Sequence, residues 1–335
     1  MNSFSFVFPV FATLAVAFVN GMTDAPNAIV SCVSTDCISI KKAVIIASVS
    51  DFAGSLTMGI INSAVSETVV NIADFGNNTQ SALAGLTAAM IVVIGWAVTA
   101  WLFGIPTSES HAMIASLSGA SLAVKGRLSQ VSMNAWKKVV QGLFISLFAG
   151  FAAGYTVSKS ASYFFKPFTK EKSDKTFKYS QLFSSALMSF MHGAQDSQKF
   201  SGIITMVLSF SGCFIYRKPP LLITILCALF ISLGTVFGGE RIIKAIGSDM
   251  LKMKNNQGFS ADIAGSLCLI ISTALGMPVS TTHAKTSAII GVGVAESTKS
   301  LNWKVASDML AAWIITFPFC GALGWVITKL FLCVR

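Results

Sequence analysis

Charged side chains are scarce in this chain. Only 11% of its 335 residues are Asp, Glu, Lys or Arg, against about 25% in a soluble globular domain. So few charges cannot cover a water-facing surface, which excludes an ordinary soluble fold. Missing motifs remove further classes. There is no G-x-x-x-x-G-K-[ST] loop, so nothing points to transport driven by ATP hydrolysis. The three histidines form no H-E-x-x-H or other close ligand spacing, so no transition metal is expected. The seven cysteines contain no C-x-x-C pair, and their expected role is as small buried apolar residues. No basic leader or small-x-small cleavage site precedes Asp24. The apolar first 20 residues are therefore expected to remain as a membrane helix rather than be removed as a signal.

What is present is mostly apolar. Hydrophobic residues make up 53% of the chain and the mean hydropathy is +0.71. Apolar runs recur from Ala43 to Ile61, Leu83 to Phe103, Val139 to Val157, Leu221 to Gly238 and Ala311 to Leu332. Each is close to the roughly 20 residues that a spanning helix needs. The 26 glycines suit helices that pack closely in lipid. The expected solvent is a lipid bilayer, and the expected location is the cell membrane, with short termini that suit a prokaryotic inner membrane.

The net charge of +10 is concentrated near the midpoint, where Lys159, Lys166, Lys170, Lys172, Lys175 and Lys178 face only Glu171 and Asp174. By the excess of cytoplasmic Lys and Arg in membrane proteins, this stretch is expected inside the cell. Its expected roles are topology and contact with anionic lipid. A nucleic-acid site is not expected, because no domain surrounds it. The loop from Asn62 to Ser81 holds Glu67 and Asp74 and no Lys or Arg, and is expected outside. These features divide the chain into a first membrane repeat (1–158), a basic cytoplasmic linker (159–180) and a second membrane repeat (181–335).

The halves repeat in order. Asn20-Gly-Met-Thr-Asp24-Ala-Pro-Asn27-Ala closes an apolar run, as does His192-Gly-Ala-Gln-Asp196-Ser-Gln-Lys199-Phe. Pro106-Thr-Ser-Glu-Ser-His111-Ala is matched by Pro278-Val-Ser-Thr-Thr-His283-Ala. Asp and His stand 87 residues apart in both halves (111 − 24 and 283 − 196). A third match pairs Ser132-Met-Asn134-Ala-Trp136-Lys with Ser300-Leu-Asn302-Trp303-Lys. Duplicated halves are a signature of secondary transporters. The acid-only loop around Glu67 to Gln80 corresponds to the basic stretch Glu240 to Lys252, which leans toward an inverted repeat. A tally of crossings closes only if some segments are broken or re-entrant. The expected fold is an all-α polytopic bundle of two inverted repeats with broken helices and re-entrant helical hairpins.

The two motifs suit different chemistry. An ionised Asp at the centre of a membrane helix costs about 3 kcal/mol on insertion scales, so Asp24 and Asp196 should face a cavity, a cation or a partner. Gly21 and Gly193, three residues earlier, permit a break. Thr23, Asn27, Gln195 and Gln198 add short polar groups. Carboxylate, amide and hydroxyl oxygens are hard ligands suited to Na⁺, and the same carboxylates can carry a proton or accept a P–OH. In the second motif, Pro106 and Pro278 cannot extend a preceding helix but suit the start of another. Thr107, Ser108 and Ser110, with Ser280, Thr281 and Thr282, then read as polar caps opening short helices. A helix N-terminus attracts anions, and hydroxyls can wrap a tetrahedral oxyanion. His111, His192 and His283 are expected to support these motifs. Lys199 either pairs with Asp196 or contacts the anion, with pairing favoured. Glu109 suits a cation better than an anion.

Together, Gly-x-x-Asp-x-x-Asn-Ala, His-Gly-x-x-Asp-x-Gln-Lys and the duplicated Pro-x-Ser-x-x-His-Ala resemble the signatures of the inorganic phosphate transporter (Pit) family. The resemblance runs from about Asn20 to the terminal helix. It implies ion-coupled phosphate symport, with no cofactor beyond Na⁺ or H⁺ as coupling ion, at a mid-membrane site between broken helices and hairpins. Asp24, Asn27, Asp196 and Gln198 match the two signatures, and Thr107, Ser108, Ser280, Thr281 and Thr282 match the hairpin tips. Thr23 and Gln195 depart from the usual Asn, and Glu109 from a small hydroxyl residue. The family also includes sulfate permeases, so sulfate is the alternative anion. A homodimer is one option for assembly.

Other classes fit less well. An intramembrane hydrolase would need Ser110–His111 or Thr282–His283, but neighbours on a helix point about 100° apart. A passive anion channel differs from a symporter in ignoring ion gradients.

Overall fold

The computed structural model describes residues 4–105, 107–167, 169–212, 218–246 and 253–334. Pro106, Cys213 and the side chains of the basic stretch Glu240 to Lys252 lie outside the described residues. The described chain is almost entirely helical. The first half contains α1 (Phe4–Thr23), α2 (Pro26–Ser34), α3 (Ile40–Ile61), α4 (Ala64–Val70), α5 (Thr79–Phe103), α6 (Glu109–Lys125), α7 (Met133–Phe144) and α8 (Gly150–Phe165). A π-helical turn, Ile145–Ala149, joins the last two. The second half contains α9 (Lys170–Ser209), α10 (Leu221–Ile246), α11 (Asn255–Ala274), α12 (Thr281–Glu296) and α13 (Trp303–Cys333). Among the described residues, six stretches are long and apolar enough to cross a membrane: Phe6–Ser34, Ile40–Ile61, Thr79–Phe103, Met133–Phe165, Leu221–Gly238 and Trp303–Cys333. Large apolar side chains face outward, as with Phe237 (75% exposed) and Ile314 (70%), while serines, threonines and charged residues fill the interior. The lipid-facing surface and the polar core are inverted relative to a soluble protein.

The elements correspond between halves. α6 and α12 begin 172 residues apart, as do Asp24 and Asp196. α5 answers to α11, and α7–α8 to α13. Packing follows the same relation. α1 lies on α10 and α3 on α9, while α6 lies on α13 and α8 on α12. Each of these seams joins one half to the other, and each is closed by glycine. A Cβ on Gly21 would stand 1.9 Å from the Ile231 carbonyl oxygen, and one on Gly193 2.1 Å from that of Asp51. Gly119 and Gly291 meet backbone in the other two seams. Gly21 and Gly193 therefore serve close helix contact.

The helix break is at Pro26 instead. With no N–H, Pro26 cannot continue the α1 ladder, and it starts α2 after a turn at Asp24–Ala25. Gln198 occupies the equivalent position, and α9 runs unbroken for 40 residues through Asp196. At 1.5 Å per residue, α9 exceeds the ~30 Å hydrocarbon core. The basic stretch is helical for most of its length, because α8 ends at Phe165 and α9 begins at Lys170.

α5–α6 and α11–α12 are hairpins whose ends return together. Lys125, at the end of α6, reaches Asp74, just before α5, at 2.6 Å. Hydrogen bonding to Lys125 holds the Asp74 carboxyl below the usual carboxylate range. A pair this exposed adds about 0–1 kcal/mol, present near neutral pH and lost as pH falls below the ordinary Asp value. In the second hairpin, Asn256 reaches Glu296 at 3.5 Å. If each hairpin leaves by the side it entered, α1–α2, α3 and α7–α8 are the three crossings that precede α9. An odd number is what an inverted repeat requires, so the arrangement is consistent with inversion. Lys125, Lys138 and Asp74 lie on one side, so the loop from Asn62 to Ser81 is not in purely acidic surroundings.

Of the six described cysteines, Cys32, Cys37, Cys227, Cys268 and Cys320 are buried as expected, while Cys333 at the end of α13 is exposed.

Glycine seams make a direct prediction. Gly193→Ala should lower the melting temperature of the purified protein, at a cost of about 1–3 kcal/mol or more. Gly95→Ala, where nothing stands within 4 Å, should leave it unchanged or slightly raised.

Candidate functional site

The turn that ends α1 places Asp24 against the start of α12. Ser280 caps α12, accepting from the His283 amide at 3.4 Å, and the next two hydroxyls point at the carboxylate. Thr281 donates to Asp24 Oδ2 at 3.0 Å, and Thr282 donates to Oδ1. Asn27 donates to the same Oδ1 at 2.9 Å and also reaches Thr282 Oγ1 at 3.2 Å. Four residues singled out by sequence thus form one buried cluster across the two halves.

Asp196 has a different partner set. Lys199 Nζ is 2.6 Å from Asp196 Oδ1, 2.6 Å from Ser110 Oγ and 2.7 Å from the Val279 carbonyl oxygen. Asn20 donates to Oδ2 at 3.0 Å, and His192 Nε2 stands 3.6 Å from it. Ser108 caps α6 by accepting from the His111 amide at 3.3 Å. The clusters meet: atoms of Asp24, His192 and Asp196 lie within 4.8 Å of one another. Glu109 is bonded by Thr23 and is 4% exposed.

Other expected residues are placed less centrally. Gln195 is tied to the second hairpin, donating to the Met277 carbonyl at 2.8 Å and accepting from Thr273. Gln198 donates to Ala194 of its own helix at 3.1 Å, leaving its Oε1 unpartnered. Thr107 is half-buried in the connection before Ser108. His111 and His283 lie edge to face, with ring centroids 4.4 Å apart, backed by Phe317 and Trp313. They brace the two hairpin tips against each other and against α13.

Three buried charged residues lie outside the repeated motifs. Asp51 of α3 meets His192 Nδ1 at 3.0 Å and accepts from Thr235 at 2.9 Å. It stands in the middle of an apolar run, and that alone could have flagged it. Asp262 of α11 and Lys285 of α12 form a buried ion pair. Lys285 also reaches Ser31 of α2 at 3.0 Å, and Ser31 and Ser185 donate to the Asp262 carboxylate. This layer is one helical turn from Thr282 and Asn27. The first-half equivalents, 172 residues earlier, are Met90 and Met113, both buried.

Comparison with known proteins decides the family. The family model described as "Phosphate transporter family" matches residues 20–324. The chain belongs to the phosphate transporter family. A probable low-affinity inorganic phosphate transporter of Bacillus subtilis is 34% identical, over 94% of this chain and 93% of that one. One so named in Rhizobium meliloti is 38% identical, over 90% and 89%. A solved structure described as "The sodium-dependent phosphate transporter" matches with a TM-score of 0.88 at 20% identity, over 99% of this chain and all of that one, which shows a shared fold. As a member of this family, the chain is a multi-pass membrane transporter and not an enzyme.

The Met pair makes the ion pair testable. Lys285→Met alone leaves Asp262 buried without its cation and should cost about 3–5 kcal/mol. Asp262→Met with Lys285→Met installs the pair the first half already carries and should recover most of that loss. Thermal melting of the purified variants reads both.

Proposed function

We propose that this chain is a secondary active transporter that carries inorganic phosphate with Na⁺, or with H⁺ as the alternative, by alternating access. One observation supports it above the rest: a carboxylate on a spanning segment of each half is linked to the hydroxyl-bearing tip of the other half's hairpin, Asp24 directly through Thr281 and Thr282 and Asp196 through the Lys199 ammonium to Ser110. In this reading the chain is two inverted repeats, 1–158 and 181–335, with the basic stretch between them on the cytoplasmic side.

Phosphate is placed at the facing N-termini of α6 and α12. Thr107, Ser108, Ser110, Ser280, Thr281 and Thr282 surround that position, and the first-turn amides supply donors to an anion. The coupling cation is placed at Asp24, with oxygens from Asn27 and Thr282 beside the carboxylate. Carboxylate, amide and hydroxyl oxygens suit Na⁺. The solved protein of the same fold is described as sodium-dependent, which favours Na⁺ over H⁺ for this chain too.

Two surface cavities, neither of which reaches the carboxylates in this structure, are the proposed starting points of access. A cavity of about 330 Å³ lined by Glu67, Thr68, Asn71 and Lys138 lies at one end, where Thr68 donates to the Gly276 carbonyl beside the second hairpin tip. A cavity of about 670 Å³ lined by Thr35, Lys166 and Lys254 lies at the basic end. Thr35 is bonded there to Gln181 at 3.0 Å, one turn beyond Ser31. In this reading, deepening one cavity while the other stays shut would expose the same carboxylates to each side in turn.

Phosphate is favoured over sulfate by proton inventory. Phosphate near neutral pH keeps a P–OH that Asp24 or Asp196 can accept, while sulfate has none and would be repelled unless a cation intervened.

Uptake of radiolabelled phosphate into proteoliposomes under imposed Na⁺ or proton gradients tests this reading. Uptake should follow the Na⁺ gradient and resist competition by sulfate. Asp24→Asn and Asp196→Asn should each lower it about 10- to 100-fold, the loss expected when hydrogen bonds to a charged group are weakened. Uptake indifferent to both gradients, or unchanged in both variants, would overturn the proposal.

A further inference from the structure

The two carboxylate clusters are related by the repeat, but one position differs in kind. Asn27 and Lys199 are equivalent, each three residues after its Asp. Ser110 and Thr282 are equivalent in the same way. In the first cluster, Asn27 bridges Asp24 and Thr282 with a neutral amide. In the second, the Lys199 ammonium bridges Asp196 and Ser110 and adds the Val279 carbonyl. Its surroundings are a carboxylate oxygen, a hydroxyl oxygen and a main-chain oxygen, all between 2.6 and 2.7 Å. That is the oxygen set that holds a hard monovalent cation in transporters of this general design.

The donor count separates this role from anion binding. An ammonium has three N–H donors and no acceptor. Lys199 points one at each of the three oxygens, and its side chain is 1% exposed. No donor is left for phosphate. Asn27, by contrast, has a carbonyl oxygen that can turn toward a bound ion.

We propose that the Lys199 ammonium is a built-in cation filling the second of two repeat-related cation positions. The chain then binds one coupling cation, at Asp24, where the same chain with Asn at 199 would bind two. This rests on the reading of Asp24 and Asp196 as the cation positions of a transporter. A tethered cation neutralises Asp196 permanently and never leaves, so no ion gradient is drawn on at that position. One ion per phosphate sets a lower ceiling on accumulation than two, because the ion gradient enters once instead of squared.

The test compares wild type, Lys199→Asn and Lys199→Met. Na⁺ is titrated against choline, with melting of the purified protein and phosphate uptake in proteoliposomes as separate readouts. In Lys199→Asn the Hill coefficient for Na⁺ should rise by one ion, from about 1 to about 2, or from none to about 1 if wild type uses protons. With two ions, a tenfold dilution of Na⁺ below half-saturation lowers uptake about 100-fold rather than about tenfold. Lys199→Met removes the charge and supplies no oxygen, so it should melt lower than wild type and gain no second Na⁺, its Na⁺ dependence staying that of wild type. An unchanged Na⁺ dependence in folded Lys199→Asn would overturn the proposal. So would a Lys199→Asn protein that fails to fold and is not recovered by Na⁺ during purification; recovery by Na⁺ supports it. Absence of phosphate uptake by wild type would overturn the transport reading alone, leaving the melting titration to decide the number of bound ions.

Discussion

Asp24 and Asp196 are buried in this structure, and the protein itself supplies the partners that water would otherwise have given. An unsatisfied polar group in hydrocarbon costs several kcal/mol, and a carboxylate costs more. The arrangement of this molecule follows from meeting that demand. α1 breaks at Pro26 so that Asp24 meets the tip of the second hairpin. α9 stays whole, and Asp196 is satisfied by a side chain three residues along the same helix. The second hairpin turns back inside the bundle with its polar N-terminus against Asp24, while the tip of the first meets Lys199 through Ser110. Close glycine contact holds the supporting helices near enough for short side chains to reach.

The two halves have solved equivalent problems with different chemistry. Where the first carries Asn27, Met90 and Met113, the second carries Lys199, Asp262 and Lys285. A methionine pair and a buried ion pair fill the same place in related hairpins. A buried ion pair is not intrinsically more stable than such an apolar pair. Its contribution is specificity: Asp262 and Lys285 gather Ser31 from α2 and Ser185 from α9, elements a methionine pair could not orient. That polar layer lies between the Asp24 cluster and the Thr35–Gln181 contact at the basic end. The second hairpin is thus linked to the broken helix by a graded series of polar contacts.

Much of this was legible in the sequence. The membrane solvent, the duplication and the division into carboxylate and hydroxyl motifs needed only composition and spacing. Ser108 and Ser280 are helix caps, as a Ser/Thr cluster before an apolar run implies. Other features exist only in three dimensions. Gly21 and Gly193 read as places to bend, yet they are places where backbones touch, and only the partner helix tells the two apart. Asp51, Asp262 and Lys285 carry no repeated pattern, because duplication highlights what the halves share and hides what only one possesses. Gln195 lies one residue from Asp196, but its neighbours on α11 and in the connection before α12 claim its amide. Adjacency in sequence did not predict which way a helical side chain would face.

The glycine seams have a consequence for how the protein is made. Each joins a helix of the first half to one of the second: α1 to α10, α3 to α9, α6 to α13 and α8 to α12. Neither half is therefore a unit that can complete its packing alone. Asp24 leaves the ribosome more than 250 residues before Thr281 and Thr282, the hydroxyls that satisfy it. During that interval the nascent chain holds a carboxylate in the membrane with its final partners unmade. The first half must wait, sheltered by water, lipid headgroups or the insertion machinery, until the last helices arrive. A truncated chain would present to the cell's quality control buried polar residues whose partners it never made.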